Sequence, residues 1–309
     1  MKLVSFSTGD IQRHVGVIDA QQRVVDVDDL IRHMPLQDAA WQALAAKGIA
    51  PHGHGLMRWL QAGKAQRQQV TPALQAALGD AHRPRFALEQ VHLHAPLARP
   101  GKIVAIGRNY GDHAKETGLA PFEKPRIISK MPSSVCDPNA TIPIPGDVKK
   151  MDFEAELAVV IGDLAQGVSK ENALQHVAGY TCLNDLSARE FQFDINPAQT
   201  TFAKSMDGFC PLGPWLVTAD DIPDPQNLNV SCKVNDEVMQ QANTHDMLFT
   251  VVDLIHYISQ YITLEPGDLI ATGTPAGVGA FRTPPLWLKP GDKIEVEVSG
   301  LGQLITHIR

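Results

Sequence analysis

A chain of 309 residues with 44% hydrophobic and 20% charged side chains has the makeup of an ordinary globular protein, long enough for one large domain and a smaller one. The net charge of −7, without any long basic run, argues against nucleic acid as a partner. No apolar stretch approaches the ~20 residues of a membrane span, the N-terminus lacks a signal-peptide core, and the four cysteines have neither metal nor disulfide spacing, so a cytoplasmic protein is expected.

Residues 1–95 read as a small α+β unit. Short alternating segments at residues 3–6, 15–18 and 23–27 predict a meander, followed by helical patterns around 39–47, 55–62 and 72–78. His52 and His54, in a Gly-flanked turn, read as solvated loop histidines. The Pro- and Gly-bearing stretch 95–101 marks the expected boundary between a domain of residues 1–95 and one of 96–309.

A buried strand at 102–106 then breaks into a polar helical start, where His113 and Glu116 share a face at i, i+3. A carboxylate beside an imidazole fixes its tautomer and makes it a better base, although a polar surface helix accounts for the pair as well. A strand ends on Lys130, and a proline-rich segment to Pro145 reads as loop around a cleft.

The stretch from Met151 to Gly162 begins with three acids in five residues and continues as an apolar strand. Alternation puts Glu154 and Glu156 on one face. Two parallel carboxylates at the head of a buried strand require a proton or a cation between them, unless that strand start is simply solvated. An Ala-rich helix is expected over 168–177, then a second buried strand ending on Asp185. If Asp185 opens a helix, Arg189 and Gln192 follow along one stripe. Lys204 precedes a turn.

The last third reads as β-rich. It contains a hairpin turning at Asn235-Asp236, an amphipathic helix within 246–262, and a strand running into the Gly-rich loop 272–279. That loop permits close backbone approach to a ligand but lacks phosphate-loop spacing. Glu295 and Glu297 repeat the i, i+2 spacing in a strand that reads as half exposed.

Five stretches, Arg108–Glu116, Asp152–Gly162, Asn184–Gln192, Ala203–Ser205 and Thr272–Gly279, resemble in order and spacing the fumarylacetoacetate hydrolase family. Residues 213–217 and 284–292 look like its branch of 2,4-diketo-3-deoxy sugar-acid and acylpyruvate hydrolases. The resemblance implies a mixed β-roll catalytic domain, a homodimer, and one divalent cation, Mg²⁺ with Mn²⁺ or Ca²⁺ as alternatives. By position it makes Glu154, Glu156 and Asp185 the metal ligands and His113 with Glu116 the water-activating pair. Arg189, Gln192 and Lys204 become stabilisers of negative charge, and Arg108, Lys130 and Thr274 substrate contacts. The implied activity is hydrolysis of a C–C bond in a β-diketo acid. The alternatives are decarboxylation of oxaloacetate or isomerisation or hydration of a 2-oxo-enoate on the same scaffold, or a non-catalytic metal-binding protein.

Overall fold

The computed structural model describes residues 1–9, 12–35, 55–116, 118 and 122–309. The expected helix at 39–47 and the histidines His52 and His54 lie outside the described residues.

Mixed sheets with peripheral helices give the expected α+β architecture. The largest sheet runs in the order Arg85–Ala87, Arg23–Asp26, His14–Ile18, Lys2–Ser7, Cys210–Thr218, Val177–Asn184, Ala155–Ile161, Leu269–Ala271, Ile103–Gly107 and Arg126–Lys130. Its first four strands include the expected N-terminal meander. They join the remainder through antiparallel pairing of Lys2 and Leu3 with Val217 and Leu216.

The strand Ala155–Ile161 is buried along its whole length. Its continuous apolar run reflects cover on both faces. Leu157, Val159 and Ile161 pack into one hydrophobic cluster, whereas Ala158 and Val160 pack into another. Antiparallel pairing of Ala155 with Asn184 sets the head of this strand beside the tail of Val177–Asn184. Residues 29 positions apart in sequence therefore meet at one end of the sheet.

A second sheet carries the hairpin Asn229–Val234 and Glu237–Asn243. Both turn residues, Asn235 and Asp236, have positive φ (50° and 69°), as a two-residue turn of this hand requires. In the neighbouring strand Lys293–Val298, Ile294, Val296 and Val298 are buried while Glu297 is exposed, the half-exposed pattern expected.

Three local expectations differ. The Ala-rich segment forms only a 3₁₀ helix, Lys170–His176, because Val177 already belongs to the central sheet. The amphipathic helix is confined to Val251–Ser259, where Thr250 and Asp253 cap it reciprocally. Asp185 does not open a helix. The chain first makes a short strand, Ser187–Ala188, against Met151–Asp152, and helix begins only at Arg189. Among the described residues, no helix is long and apolar enough to cross a membrane.

Candidate active site

Glu154, Glu156 and Asp185 converge at the junction of the two central strands, with carboxylate oxygens within 4.8 Å of one another. All three are buried, which removes the reading of Asp152–Glu156 as a solvated strand start. Backbone pairing fixes them: Asp185 donates its N–H to the Glu154 carbonyl (2.9 Å), and Glu154 N–H donates to Asn184 Oδ1 (3.1 Å).

Buried cations share this charge unevenly. Lys204 Nζ donates to Glu154 Oε2 (2.9 Å), Asp185 Oδ2 (2.7 Å) and Ser187 Oγ (2.9 Å). Arg189 spans Asp152 (2.8 Å) and Glu154 (2.7 Å), and its remaining nitrogen donates to Gln192 Oε1 (2.9 Å). Burial works to raise the Glu154 carboxyl, but Lys204 and Arg189 outweigh it and hold the group at about 2. Glu156 has only the Gly273 N–H (2.9 Å) and makes no ion pair among the described residues. Burial, then the carboxylates of Asp185 and Glu154, push it well above the usual carboxylate range. Such a surplus of buried carboxylate oxygen is what a hard divalent cation neutralises, so the donor set fits one.

The helix Gly111–Glu116 places His113 Nδ1 2.6 Å from Glu116 Oε1. The Gly-rich loop proves to be a scaffold for acids. Gly273 donates to Glu156, Gly277 to Glu116 (3.0 Å) and Gly279 to Asp152 (2.7 Å). Parallel pairing of Ile103–Gly107 with Leu269–Ala271 brings this loop beside the turn at Arg108. At Gly273 (φ +98°) an added Cβ would lie 2.9 Å from the Ile106 carbonyl oxygen, so the approach demands glycine.

A cavity of about 390 Å³ opens over these groups. Its wall includes Arg108, His113, Glu154, Asp185, Arg189, Gln192, Lys204 and Thr274 from the sequence reading, joined by Arg126, Phe193 and Phe281. The Phe281 ring lies 6.0 Å from that of His113 and 5.9 Å from that of Phe193, giving the cavity an aromatic side. Thr274 is anchored at depth by Gln240 (2.7 Å) and by its own bond to the Ala155 carbonyl (2.9 Å).

Lys130, expected to touch substrate, lies elsewhere. It is fully buried behind Asp185, bonded to Asp185 Oδ1 (2.8 Å) and to the Lys204 carbonyl, and it does not line the cavity. The strand Arg126–Lys130 ends under the sheet junction, so its last side chain points at the back of the acidic cluster. Arg126, missed in the sequence reading, carried only one signal: it stands four residues before Lys130 in the same strand. Asp152, the first of the three acids at the head of the strand, is no part of the implied ligand set. The structure gives it four donors, Phe153, Gly279 and Ala280 N–H groups and the Arg189 guanidinium.

The sequence model described as Fumarylacetoacetate (FAA) hydrolase C-terminal matches residues 102–309. The chain belongs to the fumarylacetoacetate hydrolase family. Family likeness extends well beyond that segment. The chain is 42% identical over 253 residues to a Bos taurus protein named oxaloacetate tautomerase FAHD2A, mitochondrial, covering 82% of this chain and 79% of that one. The solved fumarylacetoacetate hydrolase from Exiguobacterium antarcticum superposes with a TM-score of 0.77 at 34% identity, over 100% of this chain and 99% of that one. Maleylpyruvate hydrolase from Sphingobium sp. SYK-6, in complex with manganese(II) and pyruvate, superposes with a TM-score of 0.76 at 29% identity, covering 100% and 98%.

Proposed function

We propose that this protein hydrolyses a C–C bond in a β-diketo acid of the acylpyruvate or 2,4-diketo-3-deoxy acid type, giving pyruvate or a related 2-oxo acid and a carboxylic acid. The observation that carries the reading is that His113, held by Glu116, opens onto the same cavity as Glu154 and Asp185. The manganese and pyruvate bound by the Sphingobium relative support it.

A divalent cation, Mg²⁺ or Mn²⁺, held by Glu154, Glu156 and Asp185 would supply Lewis-acid polarisation of the substrate's paired oxygens. The chain's own residues do the rest. Glu116 holds His113 through Nδ1, leaving Nε2 to take a proton from water as that water adds to the distal carbonyl carbon. The C–C bond then breaks with its electron pair delocalised into the enolate of the 2-oxo acid, which is reprotonated on carbon. Gln192 accepts from Arg189 through Oε1, and its amide N–H groups, unpartnered among the described residues, would donate to the developing charge. Lys204 Nζ provides further positive charge against the enolate.

Arg108 and Arg126 support an acidic substrate. Arg108 packs 3.8 Å from the Phe122 ring centroid, and its Nε and Nη1 are buried with no hydrogen-bond partner among the described residues. Burial, and then the neighbouring Arg126, lower the affinity of the guanidinium for its proton. Two arginines on one cavity wall suit a substrate carboxylate.

A second reading, tautomerisation of oxaloacetate, is favoured by the name of the Bos taurus relative. The same base would then move a proton between carbon and oxygen without adding water. Incubation with Mn²⁺ and a panel of acylpyruvates, diketo-deoxy sugar acids and enol oxaloacetate, with product identification, separates the two. Pyruvate plus a carboxylic acid is expected. Keto–enol interconversion or CO₂ release without hydrolytic cleavage would overturn the first reading. We further propose a cytoplasmic homodimer in which residues 1–95 are appended to a catalytic part, 96–309. Sedimentation at micromolar concentration checks the dimer.

A further inference from the structure

Sharing no residue with the acidic cluster, His92, His94 and Asp137 form a second set of metal-ligating groups, with donor atoms within 4.8 Å of one another. His92 and His94 stand at i and i+2 on one short strand, so their rings share a face, with centroids 4.6 Å apart. Pairing of that strand with Lys2–Ser7 fixes its register. Asp137 Oδ2 lies 2.9 Å from His94 Nδ1 and 3.1 Å from His92 Nε2.

Each half-buried ligand is also held from behind. The Ala95 N–H donates to Asp137 Oδ1 (2.8 Å), and His94 Nε2 faces Ser7 Oγ (3.0 Å). A hydrogen bond from the far ring nitrogen to an oxygen is how metal-bound histidines are oriented. The His94 side chain is 13% exposed and that of His92 60%, so the group opens to solvent on one side.

We propose that His92 Nε2, His94 Nδ1 and Asp137 Oδ2 form a binding site for a borderline transition-metal ion of the Zn²⁺ class, with water completing the coordination. Ligands about 2.0–2.1 Å from a tetrahedral ion stand roughly 3.3 Å apart, a few tenths beyond the two separations present. Binding takes the place of the hydrogen bonds between the rings and the carboxylate, and in the bound form His94 carries its proton on Nε2, donated to Ser7 Oγ. Imidazole nitrogens select Zn²⁺, Co²⁺, Ni²⁺ or Cu²⁺ over the hard cations suited to the all-carboxylate cluster. The ion would tie Asp137, in the turn after Val135–Cys136, to the strand His92–His94 and, through Ser7, to the first strand.

Calorimetric titration of the untagged, chelator-treated full chain with Zn²⁺ under saturating Mg²⁺ tests the site. One Zn²⁺ per chain is expected, with a rise in melting temperature. The solvent-facing variant His92→Ala should bind at least about 100-fold more weakly and lose that thermal gain. Asp137→Asn should do the same, and Mg²⁺ binding should stay unchanged in both. Co²⁺ should give visible absorption in the wild type alone. No Zn²⁺ uptake under Mg²⁺, or uptake unaffected by His92→Ala, would overturn the proposal.

Discussion

Gly277 donates its backbone N–H to Glu116 Oε2 at 3.0 Å, while Glu116 Oε1 lies 2.6 Å from His113 Nδ1. A glycine 161 positions downstream thus sets the carboxylate that orients the proposed base. Gly277 has φ +105°, and an added Cβ would lie 2.1 Å from the Met239 carbonyl oxygen. No L side chain fits there without moving the loop.

Glu116→Gln is therefore expected to lower kcat about 100-fold, within the range of general-base effects. Gly277→Ala should produce a smaller loss of about 10-fold through the same carboxylate. Both should leave divalent-cation affinity within about twofold of wild type. Steady-state kinetics beside calorimetry measure this; a loss of metal binding equal to the loss of rate would refute the assignment.

The two cavity-wall arginines predict a split between KM and kcat. Hydrogen bonds to charged groups contribute about 1.5–3 kcal/mol, so Arg126→Ala should raise KM for a diketo acid with a second carboxylate about 10-fold or more. For an analogue lacking that carboxylate, KM should change little. Equal effects on both substrates would exclude Arg126 from substrate contact.

Glu156 makes the cation site testable without activity. Its folded-state proton affinity is raised, so its ionisation costs stability as pH rises above the ordinary carboxylate range. Metal-free Glu156→Gln is accordingly expected to melt no lower than the wild type at neutral pH. Mn²⁺ at 100 times its Kd should stabilise the wild type by about 2.7 kcal/mol and the variant far less. Thermal melts with and without Mn²⁺ decide; an undiminished Mn²⁺ gain in the variant would remove Glu156 from the ligand set.

The cap of the helix Val251–Ser259 predicts an acid sensitivity. Partial burial works to raise the Asp253 carboxyl, but Lys170, at 2.5 Å, and Thr250 outweigh it and hold it below its ordinary range. A depressed folded value means stability that is present above the unfolded pKa of ~3.9 and is lost as pH falls through the folded one. Asp253→Asn should cost about 1 kcal/mol at pH 7 and nothing once both carboxyls are protonated. Urea melts across that pH window provide the check, and a pH-independent difference would contradict it.

What the sequence by itself determined is local. Strand parity placed Glu154 and Glu156 on one side, helical spacing paired His113 with Glu116, and Asn235-Asp236 marked the hairpin. These follow from the two-residue and 3.6-residue periods of the backbone. Convergence was not local. Antiparallel register of Ala155 with Asn184 brought Asp185 to the glutamates, and parallel pairing of Ile103–Gly107 with Leu269–Ala271 brought the glycine loop to His113. Pairing of Arg126–Lys130 with Ile103–Gly107 put Lys130 behind Asp185, and the fold brought Gly279, Ala280 and Arg189 to Asp152. Only tertiary structure could decide these, because strand register depends on packing between segments from about 30 to more than 160 residues apart, and no local period records it.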